Sequence, residues 1–385
     1  MDKSLRILES QNESTDASLR IMQFGPTLYH GGVAVAIKQL TLDLARLGQK
    51  VMLIGNGGEG IETLVNAGVN YQQLNWSGSI SAMLGCVIQV RQLLNSFRPH
   101  IIHVHGRAPS LVCRLAGRQP DWFTMHNTHL TDQVGLLDMG LIRQYFSPLG
   151  NRIFALNQQA ADYLTTKLRI KPEAIKIIPN GIDCEYFRPP IPSERAEARL
   201  HFGIKESETM ALFVGRFHFS KQPEAVVALA AAARNASLPG VRFIFVGTGS
   251  LLEEVRQRIS ALELDDICQI HNWIDPLAAY WAADVLLMPS LYEGFGFVAA
   301  EALACGCPVL RTKSGGYELM IREGVTGFGC QTNQEAFVAK GLEVLQNPGT
   351  LQRMRPAARS WAEEQLGIRR QTEQTLQAYL QGLGQ

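Results

Sequence analysis

The sequence predicts a doubly wound α/β protein made of two Rossmann-like domains that face a cleft. Three observations carry that expectation. Short apolar runs, each closed by glycine or small polar residues, recur along the chain. Helix-patterned segments stand between them. The whole alternation happens twice. Continuous rather than alternating apolarity marks strands buried on both faces, as in parallel sheets. Strand–helix alternation is the pattern of doubly wound folds. A length of 385 residues also asks for two domains.

In the first half the runs are LRIMQFGP (19–26), KVMLIGNGG (50–58), HIIHVHG (100–106), DWFTMHN (121–127), RIFALN (152–157) and IKIIPNG (175–181). In the second they are MALFVGR (210–216), VRFIFVGTG (241–249), ICQIHNW (267–273), DVLLMPS (284–290) and PVLRTKS (308–314). Helices are expected over 31–48, opening at a glycine pair and stopping at Gly48, and over 221–236 and 250–264. The pattern breaks near CEYFRPPIPSERAEARLHFG (184–203), where prolines and charges interrupt it. Residues 1–18 are expected as a polar tail, 19–185 as the first domain and 186–205 as a linker. Residues 206–365 are expected as the second domain and 366–385 as a carboxy-terminal helix, the end of a helical stretch from 359 to 383.

Composition excludes several classes. Apolar residues make up 46% and charged ones 18%, with a net charge of +1, so nothing global draws the chain to nucleic acid. The seven cysteines have no framework spacing and read as reduced thiols. Residues 1–18 lack an apolar core, so no secretory signal is expected, and no apolar run approaches the roughly 20 residues that span a bilayer. The expected location is the cytoplasm. The arginines and aromatics of LIRQYFSPLGNR (141–152) also allow peripheral contact with the inner membrane, although such a segment is more often a half-buried helix.

Ligands of doubly wound sheets bind beyond the carboxyl ends of the strands. In EGFGFVAAE (293–301), two glutamates stand seven residues apart around a glycine-rich loop that opens a helix. Free N–H groups at a helix start suit phosphate. A carboxylate accepts two hydroxyl donors from a vicinal diol, so Glu293 and Glu301 fit the two sugars that flank a diphosphate. The same spacing also fits a helix-start carboxylate beside a solvated one, and the pattern alone leaves both readings open. Arg216 and Lys221 follow another strand and fit a diphosphate, or two solvated loop charges. The VGTGSLL loop (246–252) has Leu252 where a dinucleotide fingerprint needs its third glycine. His103, His105, His126 and His129 lack a carboxylate or cysteine at ligand spacing, and no Asp-x-Asp pair is present, so no metal and no cofactor is assigned.

Taken in series, these segments resemble the family-4 retaining glycosyltransferases of the GT-B fold, over residues 19 to 380. EGFGFVAAEALACGCPVLRT is similar to that family's E-x7-E segment and IIPNGIDCEYFRP (177–189) to its interdomain signature. VGRFHFSK, FVGTGSLLEEV, WIDPLAAYWAADVLLMPS and SGGYELMIREGVTGF follow in the family's order. The resemblance implies metal-independent transfer of a sugar from a nucleoside-diphosphate donor, first of all a UDP-sugar, to a hydroxyl acceptor. A lipid-linked or other cell-envelope glycan is the expected acceptor. It implies that Glu293 holds donor-sugar hydroxyls and Glu301 the ribose. Arg216 and Lys221 would bind the diphosphate, and the backbone of Phe295, Gly296 and Phe297 would line the sugar and phosphates. Gly31 and Gly32 would approach the reaction centre, His126 would sit by the transferred sugar and Trp273–Ile274 by the base. One departure is Gln222, where the family often has glycine after the phosphate lysine. A sugar-nucleotide epimerase, a phosphorylase, or a non-catalytic nucleotide-sugar-binding subunit are the alternatives on this architecture.

Overall fold

The computed structural model describes residues 18–29, 31–76, 80–126 and 149–384. The expected tail up to residue 17, His129 and most of the 141–152 segment lie outside the described residues.

Two parallel sheets form the molecule. The first has seven strands in the order β3-β2-β1-β4-β5-β6-β7. They are β1 (Arg20–Phe24), β2 (Lys50–Gly55), β3 (Asn70–Gln73), β4 (Ile101–Val104), β5 (Trp122–Met125), β6 (Arg152–Ala155) and β7 (Ile175–Ile177). The second has six, in the order β10-β9-β8-β11-β12-β13. They are β8 (Thr209–Val214), β9 (Val241–Val246), β10 (Cys268–His271), β11 (Val285–Met288), β12 (Val309–Thr312) and β13 (Gly327–Cys330). Both orders reverse direction beside the first strand of their domain, β1 or β8, which places a crevice at the carboxyl edge of each sheet.

The apolar runs became strands because both of their faces are covered. Every residue of β4, β5, β11 and β12 is buried. Helices lie on both sides, among them α1 (Gly32–Arg46), α7 (Pro223–Asn235), α10 (Phe297–Ala304) and α12 (Gln334–Leu345). All seven cysteines are free thiols.

The stretch 186–205 contains a helix, α6 (Pro192–His201). Arg195 and Arg199 of this helix both donate to Asp284 at the start of β11, at 2.6 and 3.1 Å. Its Ala198 and the following Phe202 and Ile204 enter the core of the second sheet. The prolines that break the sequence pattern stand before and at the first position of this helix, where a missing N–H costs nothing.

The stretch 359–383 is not one helix. Helix α13 (Pro348–Leu366) and helix α14 (Ile368–Leu383) meet at Gly367, which is extended at φ −66° and ψ 140°. The break lets the chain pair with its own first crossing. The Ile182 N–H donates to the Leu366 carbonyl and the Ile368 N–H to the Ile182 carbonyl, each at 2.8 Å. Helix α14 then packs on α1. Its Tyr379 is fully buried among Ile21, Leu40, Trp122 and Phe154 of the first domain.

Candidate active site

Four loops at the carboxyl edge of the second sheet build the site. After β8, the backbone of Gly215 and Phe217 is bonded to the loop after β9, Phe217 N–H to Thr248 carbonyl at 2.9 Å. A Cβ on Gly249 would lie 2.4 Å from the Phe217 carbonyl oxygen. The glycines of VGTGSLL therefore serve a close backbone crossing that fixes Arg216, which is exposed at the edge. The chain then makes a 3-10 turn over Phe219–Lys221. It turns into α7 through Gln222, which is left-handed at φ 48° and ψ 53°. Left-handed backbone favours glycine, so the departure noted in the sequence sits in a conformation that strains it. The Gln222 Oε1 is also buried without a partner.

That turn aims Lys221 at Glu293. Their side chains form an ion pair, with Glu293 8% exposed and Lys221 22%. The loop after β11 is held from three sides. The Leu291 N–H donates to the Ser220 carbonyl at 2.9 Å, and Thr312 Oγ1 donates to the Ser290 carbonyl at 2.5 Å. From the first domain, Asn157 Nδ2 donates to the Gly294 carbonyl at 2.7 Å. Asn157 also caps α5 (Gln158–Thr166), its Oδ1 accepting from the Ala160 N–H at 2.8 Å. One side chain thus starts a helix in one domain and grips the loop of the other.

Gly296, left-handed at φ 95°, precedes α10, and no side chain caps that helix start. The first N–H groups of a helix have no partner within it, which holds for those of Phe297 and Val298, with the helix dipole behind them. Phe295 is buried and its ring meets Phe297 edge-on at 5.1 Å. A Cβ on Gly32 would lie 3.1 Å from the Phe297 ring. Gly31, at φ 100°, caps α1 beside it. The glycine pair of the first domain thus abuts the donor-loop helix of the second.

Glu301 sits one turn into α10 and accepts from the Tyr280 hydroxyl at 2.8 Å. Burial pushes its carboxyl up to about 7, with the Tyr280 hydrogen bond opposing and Asp275 adding to the rise. Trp273, 56% exposed, and half-buried Ile274 stand on the loop after β10. With Arg216 they line the same edge as the Lys221–Glu293 cluster rather than packing into it.

On the facing side, His126 ends β5 and its Nε2 lies 3.0 Å from His105 Nδ1. His103 is bonded at both ring nitrogens, Nδ1 to the Tyr379 hydroxyl at 2.7 Å and Nε2 to Thr124 Oγ1 at 2.6 Å. Its ring lies 4.1 Å from that of His105. Burial holds all three imidazoles below their usual range, His103 at about 3, His126 at about 4, and His105 well down, neighbouring histidines reinforcing the effect on His103 and His105. They are neutral at neutral pH, so in the His105–His126 contact one ring donates and the other accepts.

The structure therefore gathers Lys221, Glu293, Phe295, Gly296, Phe297 and Gly32 into one contact set, with Glu301 one turn beyond and His126 on the facing wall. Sequence reasoning missed Asn157, Tyr280 and Arg311. An asparagine just before a helix-patterned stretch is a capping signal. The lone cation in the apolar run PVLRT was the signal for Arg311. Nothing local marked Tyr280.

Two parallel-sheet Rossmann-like domains of this kind are the GT-B architecture. The chain belongs to the family-4 glycosyltransferases of that architecture. Residues 30–186 match the family described as Glycosyltransferase Family 4, and residues 194–361 match Glycosyl transferases group 1. It is 36% identical over 184 residues to a D-inositol 3-phosphate glycosyltransferase of Segniliparus rotundus, covering 46% of this chain and 40% of that protein. A Streptomyces griseus protein of the same description is 30% identical over 237 residues, covering 55% and 50%. The matches thus span half or less of these curated relatives. Among solved structures, Anabaena Alr3699/HepE in complex with UDP superposes with a TM-score of 0.81 at 16% identity, covering 94% of this chain and all of that one. A Rickettsia africae glycosyltransferase does so at 0.79 and 20%, covering 95% and 99%. At these identities the superpositions establish the fold. No helix among the described residues is long and apolar enough to cross a membrane.

Proposed function

We propose that this protein transfers a sugar from a nucleoside-diphosphate sugar to a hydroxyl acceptor, with the anomeric configuration retained and without a metal. The observation that carries the reading is the Lys221–Glu293 ion pair beside the uncapped start of α10. That arrangement places a cation and free N–H groups for a diphosphate next to a carboxylate for sugar hydroxyls. The donor diphosphate is held by Lys221, Arg216 and the N–H groups of Phe297 and Val298, and its ribose by Glu301. In the reaction the bond between the anomeric carbon and the diphosphate oxygen breaks, and a bond from that carbon to the acceptor oxygen forms. The acceptor proton passes to the departing diphosphate. Preorganised cations and helix N–H groups stabilise the charge that develops on the leaving oxygens. Neutral His126 lends hydrogen bonds to the sugar without competing for the diphosphate.

The relatives described as D-inositol 3-phosphate glycosyltransferases make a small phosphorylated polyol the first acceptor class to test, with lipid-linked and other cell-envelope glycans after it. A UDP-sugar is the first donor, because the HepE structures are complexes with UDP, UDP and glucose, and UDP-glucose. The deciding experiment is thermal unfolding in EDTA against UDP-, GDP-, ADP- and TDP-sugars. A ligand that binds only the folded state raises the midpoint. A rise with one nucleotide class supports the reading. No rise with any of them, together with no turnover on any acceptor class, overturns it.

A further inference from the structure

Asn157 stands where the chain leaves β6, and it is buried. Its Oδ1 accepts from the Ala160 N–H at 2.8 Å and so starts α5. Its Nδ2 donates to the Gly294 carbonyl of the second domain at 2.7 Å. The two partners fix the orientation of the amide, because the N–H can meet only its oxygen and the carbonyl only its nitrogen. Two residues on, Gln159 reaches the same region. A Cβ on Gly315 would lie 3.1 Å from the Gln159 Oε1 and 2.1 Å from the Glu293 carbonyl oxygen. The start of α5, the Gly315 segment and the donor loop thus meet in one place. Fully buried Arg311 holds that segment, its Nη2 donating to the Gly315 carbonyl at 2.8 Å.

The grip fixes more than one oxygen. A peptide link is planar and, in this chain, trans, so a carbonyl held on one side sets the direction of the N–H on the other. The link that Asn157 holds carries the Phe295 N–H. It lies between Glu293, proposed for the sugar hydroxyls, and the uncapped start of α10, proposed for the diphosphate. The groups proposed for the diphosphate, Lys221, Arg216 and the N–H groups of α10, all belong to the second domain, whereas Asn157 belongs to the first. Its bond to Gly294 therefore exists only while the two domains are together. We propose that Asn157 is a positioning residue through which the first domain sets the donor loop, so that the loop takes its working shape only when the cleft is closed. The inference rests on the donor reading of this site. Serine, threonine or aspartate would start α5 as well. Asparagine adds a donor that reaches Gly294.

The test separates the cap from the grip. Asn157→Ser and Asn157→Asp keep an oxygen for the Ala160 N–H and lose the donor to Gly294, whereas Asn157→Ala loses both. Hydrogen exchange read by mass spectrometry reports each end. In the serine and aspartate variants, residues 290–296 are expected to exchange several-fold faster than in wild type, and residues 158–166 at the wild-type rate. In Asn157→Ala both segments should exchange faster. Calorimetric titration then compares a UDP-sugar, or whichever nucleotide sugar raises the unfolding midpoint, with its free nucleoside diphosphate. Loss of one hydrogen bond is expected to weaken nucleotide-sugar binding about fivefold in Asn157→Ser, while affinity for the free diphosphate stays within about twofold. A serine variant whose donor loop exchanges as in wild type overturns the proposal. So does one that binds the nucleotide sugar with no loss, or that loses affinity for nucleotide sugar and free diphosphate alike. Should Asn157→Ser not fold, the aspartate variant decides by the same criteria. A wild-type protein that binds no nucleotide sugar brings down the donor reading itself, and the role of Asn157 with it.

Discussion

Beside the cleft the first domain buries His103, His105, Thr124 and Tyr379 and half-buries His126, all uncharged at neutral pH and hydrogen-bonded or in ring contact with one another. The second buries Glu293 and Arg311, with Glu301 half-buried and Lys221 at the rim. Both domains are Rossmann-like sheets with similar covered cores, so the fold does not impose this difference. On the proposed function it follows from what each wall would meet. A wall that receives a diphosphate needs fixed cations, and fixed cations in a dry site need carboxylates of their own. A wall that meets a sugar and an incoming hydroxyl needs hydrogen bonds without net charge, which neutral imidazoles give.

Removing charge from the second domain is expected to do the most damage. Glu293→Ala should lower kcat/KM by about a hundredfold or more, while affinity for the free nucleoside diphosphate changes little. Lys221→Ala should lower both. Steady-state kinetics with nucleotide titration separates the two. Turnover unchanged in Glu293→Ala would remove that carboxylate from the sugar site.

The neutral wall should respond less in rate and more in pH. His126→Ala is expected to cost about ten- to a hundredfold in kcat with nucleotide affinity intact. Its pH signature has a definite sign. A histidine held below its unfolded value near 6.5 adds stability that is fully present above 6.5. That stability is lost as pH falls through the folded value, about 4 for His126 and about 3 for His103. The unfolding midpoint of the wild type should therefore drop between pH 6.5 and 4, and His103→Asn should flatten that drop. A midpoint independent of pH across this window would mean that the imidazoles are not buried neutral.

Much of this contrast was legible in the sequence, and unevenly. Strands with both faces covered followed from continuous apolar runs, though their order did not, and the glutamate pair with its glycine-rich loop pointed to the second-domain edge. What pattern could not show is partnership across long separations. Lys221 reaches Glu293 over 72 residues, Asn157 reaches Gly294 over 137 and His103 reaches Tyr379 over 276. Such pairs depend on how two sheets and a returning helix pack. The helical pattern over 359–383 likewise did not show the break at Gly367, which is extended and pairs with Ile182, and no local signal announces that strand-like contact. No sequence pattern gave His103 or His105 a partner, whereas in the fold His103 bonds Tyr379 and Thr124, and His105 bonds His126.

Glu301 sharpens the comparison from the charged side, with a smaller effect. Its carboxyl is held near 7 by burial, against 4.5 when unburied. With Glu301 at the ribose as proposed, the ribose hydroxyls would donate to the ionised form, so nucleotide affinity should tighten as pH rises through 7. Glu301→Gln should bind about tenfold more weakly at pH 8 and lose that dependence. The stability sign is opposite. A carboxyl raised above its unfolded value favours the native state fully below 4.5 and loses that contribution as pH rises toward 7. Ligand-free Glu301→Gln should therefore melt a few degrees above wild type at pH 8 and no higher at pH 4.5. Equal midpoints at pH 8 would mean that the glutamate is not buried in charged form.

The smallest expected effect isolates geometry from charge. Gln222 carries the turn that aims Lys221 at Glu293, and it does so left-handed at φ 48°. For a residue with a Cβ that region costs about 1 kcal/mol or more, and the buried Oε1 lacks a hydrogen bond as well. Gln222→Gly relieves both. The glycine gains freedom in the unfolded chain, which takes back about 0.5–1 kcal/mol. The net is a slight stabilisation of about 0.5–1 kcal/mol, read as a small rise in the denaturant midpoint at unchanged slope. Diphosphate affinity should stay within about twofold, because the turn keeps its shape and Lys221 its charge. A loss of affinity as large as that of Lys221→Ala would show that the glutamine side chain, and not the turn, places the lysine. The donor wall would then depend on one more buried polar group than the contrast between the two walls allows.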